Sequence, residues 1–135
     1  MSIAMHPHAQ PQAPSRSQLL RDHAALDGLF DTVLSAFTAG DRRQLAAIWT
    51  TFESRVLAHL DREERTAFPS LALAEPLLAE HLLAEHRSLR TALAELAIGT
   101  DLHLVRLDVV QELVLRLRAH MARENAAMYR CAAED

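Results

Sequence analysis

Apolar residues recur at three- and four-residue steps along four stretches of the chain, and each of these lines contains one histidine. Such spacing places the residues on one buried face of an α-helix. The lines read Leu19, His23, Leu26, Phe30, Val33, Phe37; Leu45, Ile48, Phe52, Val56, His59, Glu63; Leu78, Leu82, His86, Leu89, Leu93, Leu96; and Val110, Leu113, Leu117, His120, Glu124. The pattern predicts an all-α fold, and short connections favour an up-down-up-down four-helix bundle.

Glycine, proline and capping residues predict where these helices begin and end. The expected bounds are Ser15 or Ser17 to just before Gly40, Asp41 to Phe68-Pro69, Pro76 to Gly99, and Thr100 or Asp101 to the residues around Tyr129. A short connection is expected between the second and third helices.

The prolines also suggest a domain organisation, because three of the five lie before residue 17. Residues 1–16 are therefore predicted to form a flexible tail, residues 17–131 one helical metal-binding domain, and residues 132–135 a C-terminal tail. The sequence shows no convincing internal repeat.

The composition argues against several classes of function. The net charge of -4 argues against nucleic acid as a partner, and no apolar run reaches the ~20 residues of a membrane helix. The N-terminus lacks the regions of a signal peptide, so a cytoplasmic location without membrane association is expected. Cys131 is the only cysteine, which excludes an internal disulfide or a thiolate metal cage. No feature identifies a protein partner.

The four core histidines are expected at one end of the bundle. His23 and His86 fall in the first halves of their helices, and His59 and His120 in the second halves. Antiparallel packing brings these segments together. A carboxylate four residues after a histidine is turned only ~40° from it and raised ~6 Å, so Glu63 joins His59, and Glu124 joins His120 in the same way.

Burial of Glu63 and Glu124 in an apolar bundle would cost several kcal/mol each, and no Lys or Arg lies on the core lines to pair with them. A pair of divalent cations would compensate for this cost. Imidazole and carboxylate ligands suit iron, manganese or zinc, and the spacing does not choose among them. Without metal, burial and mutual repulsion are expected to raise the pKa of both carboxyl groups.

The other histidines are assigned to the surface or the tail. His81 and Glu85 share the spacing of the core pairs but continue along a polar line, which indicates a surface pair. His6 and His8 lie in the proline-rich tail, and His103 lies far from the proposed end of the bundle. A single buried histidine is more often a packed core residue than a ligand. Four at one level, with two carboxylates, favour a metal site.

Several residues near the candidate ligands have two possible roles. Glu64 and Glu85 either accept hydrogen bonds from ligand histidines or are solvated, and Trp49 and Tyr129 either line the site or pack against a helix. A ferritin-like di-iron centre would need a Glu three residues before a His, which no histidine has.

Taken together, four segments resemble the hemerythrin-like family, specifically the branch called the HHE cation-binding domain. They are Arg21-Asp22-His23, His59-Leu60-Asp61-Arg62-Glu63-Glu64 leading to Phe68-Pro69, Ala84-Glu85-His86-Arg87-Ser88-Leu89, and His120-Met121-Ala122-Arg123-Glu124. The resemblance covers about Ser17 to Tyr129. It implies a non-haem centre of two iron ions near one end of the bundle, with Glu63 and Glu124 bridging and the four histidines as terminal ligands.

Oxygen-carrying hemerythrins differ by a fifth histidine four residues from the ligand of the third helix, where this chain has Leu82 or Arg90, and by an aspartate five residues after the last histidine. The resemblance therefore implies a protein that binds or reacts with a small ligand such as oxygen, nitric oxide or peroxide, rather than a dedicated oxygen store. The alternatives are a di-iron enzyme that decomposes peroxide or reduces nitric oxide, and a helical interaction or sensor module that metal stabilises.

Overall fold

The computed structural model describes residues 16–40, 42–101 and 106–128, and within these ranges every regular element is a helix. The elements are α1 (Arg16–Ala39), α2 (Arg42–Thr66), α3 (Phe68–Ala74), α4 (Pro76–Asp101) and α5 (Leu107–Met128). The expectation of an all-α fold is confirmed. α1 and α4 each pack against both α2 and α5, so the four long helices surround a common core.

The end of α1 follows the sequence prediction. Gly40 has φ of +75°, in the left-handed region where a side chain would be strained, and its N–H bonds to the carbonyl of Ala36 at 3.1 Å. The start of α1 at Arg16 agrees with a start near Ser15 or Ser17.

The connection predicted after Phe68-Pro69 is wrong, because residues Phe68–Ala74 form the additional helix α3. Pro69 lies in the first turn of α3, where its missing N–H costs no helical hydrogen bond. α3 packs against α2 and α4 and buries Phe68 and Leu71. Pro76 begins α4, as expected.

The predicted junction between the last two long helices is also wrong. α4 continues past Gly99 to Asp101, since a glycine in a helix costs only about 1 kcal/mol and does not end it. α5 begins at Leu107, where the carbonyl of Arg106 accepts bonds from the N–H groups of Val109 and Val110. Tyr129 lies outside the described residues.

Two apolar clusters fill the interior. The larger is built around Phe30, Phe52 and Leu93 of three long helices, and the smaller contains Phe68 and Leu71 of α3. Trp49 is buried in the larger cluster against Phe37 and Phe52, which decides in favour of packing for this residue.

None of the helices in the described part of the chain combines the length and apolar character needed to cross a membrane.

Candidate metal centre

Six buried polar side chains lie at one level of the bundle, flanked by residues of the two apolar clusters. They are the six candidates from the sequence: His23, His59, Glu63, His86, His120 and Glu124. α1 positions His23 between Leu19 of the smaller cluster and Leu26 of the larger one. The helical periods that bury these leucines therefore also bury the histidine between them.

The two glutamates connect all four histidines. Glu63 lies 3.1 Å from His59 Nε2 and 3.2 Å from His23 Nε2, and its other oxygen lies 3.3 Å from His86 Nε2.

Glu124 has the matching arrangement. Its Oε2 lies 2.9 Å from Nε2 of His120 and 3.0 Å from Nε2 of His86, and its Oε1 lies 3.4 Å from Nε2 of His23. Each carboxylate thus contacts histidines from both sides of the bundle.

The donor atoms form two overlapping groups, in each of which they lie within 4.8 Å of one another. One contains His23 and His59, the other His86 and His120, and both glutamates belong to each group. Among the described residues, Oε1 of each glutamate and Nε2 of His120 are buried and lie close to other atoms of these groups, but none of the three makes a hydrogen bond of normal geometry. Burial of unpaired polar atoms is costly, so these atoms indicate a missing partner. The imidazole and carboxylate donors fit a divalent metal site.

Three of the four histidines have a hydrogen-bond acceptor at the outer ring nitrogen, Nδ1. The Nδ1 of His86 donates to Glu64 at 2.7 Å, and that of His120 donates to Glu85 at 2.7 Å. Because a carboxylate only accepts, the proton of each neutral ring lies on Nδ1 and the lone pair of Nε2 points to the centre. Of the two readings for Glu64 and Glu85, the structure selects the hydrogen-bonding one.

The outer partner of His23 was not foreseen from the sequence. Its Nδ1 donates to the amide oxygen of Asn125 at 2.6 Å. The signal was present, since Asn125 follows Glu124 as Glu64 follows Glu63. The Nδ1 of His59 is buried and has no partner among the described residues.

Two arginines, also not foreseen, pair with the outer carboxylates. Arg90 donates to Glu64 at 2.6 Å and to Asp61 at 2.6 Å, and Arg123 contacts Glu85. Burial raises the pKa of Glu85, but the hydrogen bonds from Arg123 and His120 outweigh burial and lower it. Glu85 therefore stays a charged acceptor.

The histidines and glutamates neutralise each other when metal is absent. Burial lowers the pKa of His23, but Glu124 and Glu63 outweigh it and raise this pKa to about 10. The same balance raises the pKa of His86 to about 10. Burial raises the pKa of Glu63, yet hydrogen bonds from the histidines lower it well below its ordinary value. The expected rise in the pKa of Glu63 is thus wrong, because the histidines themselves supply the opposing charge.

The surface assignment of His81 agrees with the structure, as 63% of its side chain is exposed and its Nε2 lies 3.6 Å from Glu85. Leu82 is fully buried and apolar, and Arg90 is engaged by acidic partners. Neither position adds a metal ligand. His103, like the tail histidines, lies outside the described residues.

A family model described as the hemerythrin HHE cation-binding domain matches residues 15–133, a range that contains the whole centre. No curated protein and no solved structure gives a significant match to the chain.

Proposed function

We propose, for a chain that belongs to the hemerythrin HHE cation-binding domain family, that the centre holds two iron ions and binds or reacts with a small ligand such as oxygen, nitric oxide or peroxide. His23 and His59 would bind one ion, and His86 and His120 the other. Glu63 and Glu124 would each contribute to both positions. The domain would span residues 17–131, with four long helices of alternating direction.

The convergence of six buried donors carries this proposal. Four imidazoles and two carboxylates are surrounded by apolar side chains at a level where no Lys or Arg enters among the described residues. In the described part of the chain, the charges that compensate the glutamates are histidine protons, and a metal ion can replace these protons. Bound iron would supply a Lewis acid and redox centre.

The number of ligands favours a reactive centre over a purely structural one. Four protein donors close a tetrahedral zinc site, whereas non-haem iron held by histidines and carboxylate keeps coordination positions open. Here each ion would have two imidazoles and a share of two carboxylates, and neither Leu82 nor Arg90 adds a ligand. The protein would leave room for a small exogenous ligand at each ion.

Two cavities lie beside histidines of the centre. A cavity of about 280 Å³ between α1 and α2 is lined by His59, and one of about 190 Å³ between α4 and α5 is lined by His120. Both volumes exceed that of a diatomic molecule or peroxide, since one water occupies ≈ 30 Å³ in the liquid.

The test begins with anaerobic reconstitution of the metal-free protein with ferrous iron and elemental analysis. We expect two ions per chain, and fewer in His59→Ala or Glu63→Ala. His81→Ala is the matched control, because His81 is an exposed histidine that also precedes a glutamate by four residues. Full retention of two ions in the double variant lacking His59 and Glu63 would contradict the ligand assignment.

The reconstituted protein is then exposed separately to oxygen, nitric oxide and peroxide while optical spectra are recorded and turnovers are counted. Reversible spectral changes support ligand binding, and sustained turnover supports the enzyme alternative. No spectral response to any of the three would contradict the proposed function and leave a structural role for the metal.

A further inference from the structure

The proposed centre is built from two helix pairs that carry matching residues. α1 and α2 supply His23 and His59, which with both glutamates form what we call the 23/59 position. α4 and α5 supply His86 and His120, which with the same glutamates form the 86/120 position. The two positions thus have the same types of inner donor, so the donor types alone do not distinguish them.

The outer ring nitrogens of the two positions have different partners. At the 86/120 position, both donate to carboxylates at 2.7 Å. At the 23/59 position, His23 donates to the neutral amide oxygen of Asn125 at 2.6 Å, and the buried Nδ1 of His59 has no partner among the described residues. One position is therefore supported by two charged acceptors and the other by none.

The missing partner of His59 is explained by a side chain that is one methylene too short. Asp22 stands directly before the first histidine of its helix pair, as Glu85 does in the other pair. Both contact the matching arginine: Asp22 lies 3.4 Å from Arg62, and Glu85 contacts Arg123. Glu85 also accepts the hydrogen bond from Nδ1 of His120, but the shorter Asp22 makes no such bond with His59.

The space for a longer side chain is present. Asp22 and His59 line the same cavity of about 280 Å³. The matching cavity of the other helix pair, lined by Glu85 and His120, measures about 190 Å³. A glutamate at position 22 would add one methylene inside the larger cavity and bring its carboxylate toward the unpaired nitrogen.

A second difference affects the same position. Glu64 follows Glu63 and accepts the bond from His86, whereas the matching residue after Glu124 is Asn125. An amide oxygen is a weaker acceptor than a carboxylate, because it carries no net charge. Both departures from the matched arrangement therefore weaken the support of the 23/59 position.

We infer that the 23/59 position binds its metal ion more weakly than the 86/120 position, and that Asp22 and Asn125 are the residues that set this difference. The inference rests on the proposed function, which provides two metal positions. Acceptors at the outer nitrogen fix the ring and raise the basicity of the ligand, and loss of one typically costs 10–100-fold in affinity. Arg90 and Arg123 offset part of the outer negative charge, but the hydrogen bonds to the rings remain.

The inference is tested by titrating the metal-free protein with Co²⁺, followed by its optical spectrum and by competition with a chelator. We expect two binding steps whose dissociation constants differ by about tenfold or more. His59→Gln should remove the weaker step and His120→Gln the tighter one, with helical circular dichroism as the check of folding.

The decisive variant is Asp22→Glu, which should tighten the weaker step by about tenfold or more and bring the two steps together. Glu85→Asp is its inverse and should weaken the tighter step. Asp22→Asn is the matched control, since it keeps the short side chain and should leave both affinities within about threefold of the original values.

Two equal affinities in the unchanged protein, or an Asp22→Glu variant with an unaltered weaker step, would contradict the inference while two bound ions still support the proposed function. Failure of the unchanged protein to bind two ions would contradict the proposed function, and the inference with it.

Discussion

At the scale of single residues, His23 and His86 of the metal-free centre carry protons that bound metal would replace. His23 lies within 3.4 Å of both glutamates, and His86 lies within 3.3 Å of both. In the metal-free protein Glu63 is stabilised by hydrogen bonds from the histidines, and the protonated rings of His23 and His86 are stabilised by both carboxylates. Metal binding must displace these protons, so the affinity for metal should increase with pH.

The raised and lowered pKa values predict how the stability of the metal-free protein depends on pH. The pKa of His23 and of His86 is about 10 in the folded protein against an ordinary value of 6.5. Their contribution to the free energy of unfolding is therefore complete below pH 6.5 and is lost as pH rises toward 10. Glu63, whose pKa is lowered, contributes fully above its ordinary value of 4.5, and this contribution is lost as pH falls below it.

We expect the melting temperature, measured in the presence of a chelator, to be highest between pH 4.5 and 6.5 and to fall from there toward pH 10. The double variant His23→Gln, His86→Gln is the control and should lose most of the decline above pH 6.5. A melting temperature that rises from pH 6.5 to 10 in the unchanged protein would contradict the charge network.

The sequence could reveal the residues whose burial follows from the period of a single helix. The six central side chains continue apolar lines, and this periodicity alone places them inside. Arg90 and Arg123 act between helices, and their roles depend on the lateral distance and rotation of neighbouring helices. No period within one helix carries that information. Whether the Asp22 side chain is long enough to reach His59 depends on the same geometry.

At the scale of helices, α3 closes the end of the bundle that holds the centre. Its Phe68 ring lies 4.8 Å from the ring of His86, centroid to centroid, and is almost fully buried. The sequence pattern predicts only a connection here, because Phe68-Pro69 is typical of a helix end. A proline disfavours helical conformation in the residue before it but is well suited to the first turn of a new helix. The same signal fits both outcomes, and burial of Phe68 and Leu71 selects the helix.

Phe68→Ala should destabilise the protein by about 3–5 kcal/mol, because it removes a buried aromatic ring and leaves a cavity beside His86. Loss of metal to a chelator should also become faster, as the end of the bundle is opened. Leu73→Ala in the same helix is the control, since Leu73 is 89% exposed and its replacement should change stability by less than ~0.5 kcal/mol. Equal effects of the two substitutions in denaturant unfolding would show that α3 does not pack as described.

At the scale of the whole molecule, the two helix pairs have matching residues around the centre although the sequence shows no convincing repeat. The match includes the six central residues and extends to a few exposed positions that line the two cavities, such as Arg55 with Arg116 and Ala58 with Ala119. Surface positions, which make up much of each helix, are free to differ because exposed substitutions have little effect on stability. A repeat of this kind becomes visible only when the helices are assembled.

The placement of the centre between two apolar clusters predicts how the molecule responds to metal removal. Each cluster is apolar and does not depend on metal. Between the clusters, ion pairs among the histidines and glutamates stabilise the buried polar side chains. We therefore expect the metal-free protein to keep its helical circular dichroism.

Metal that binds only the folded state adds about 2.7 kcal/mol per site when its free concentration is a hundred times the dissociation constant. At about 4 °C for each kcal/mol in a chain of this size, removal should lower the melting temperature by roughly 10 °C or more. Return of metal should restore it, and His81→Ala should show the same shift as the unchanged protein. Loss of helicity on metal removal at 25 °C would show instead that metal is required for folding, which would favour a structural role for the centre.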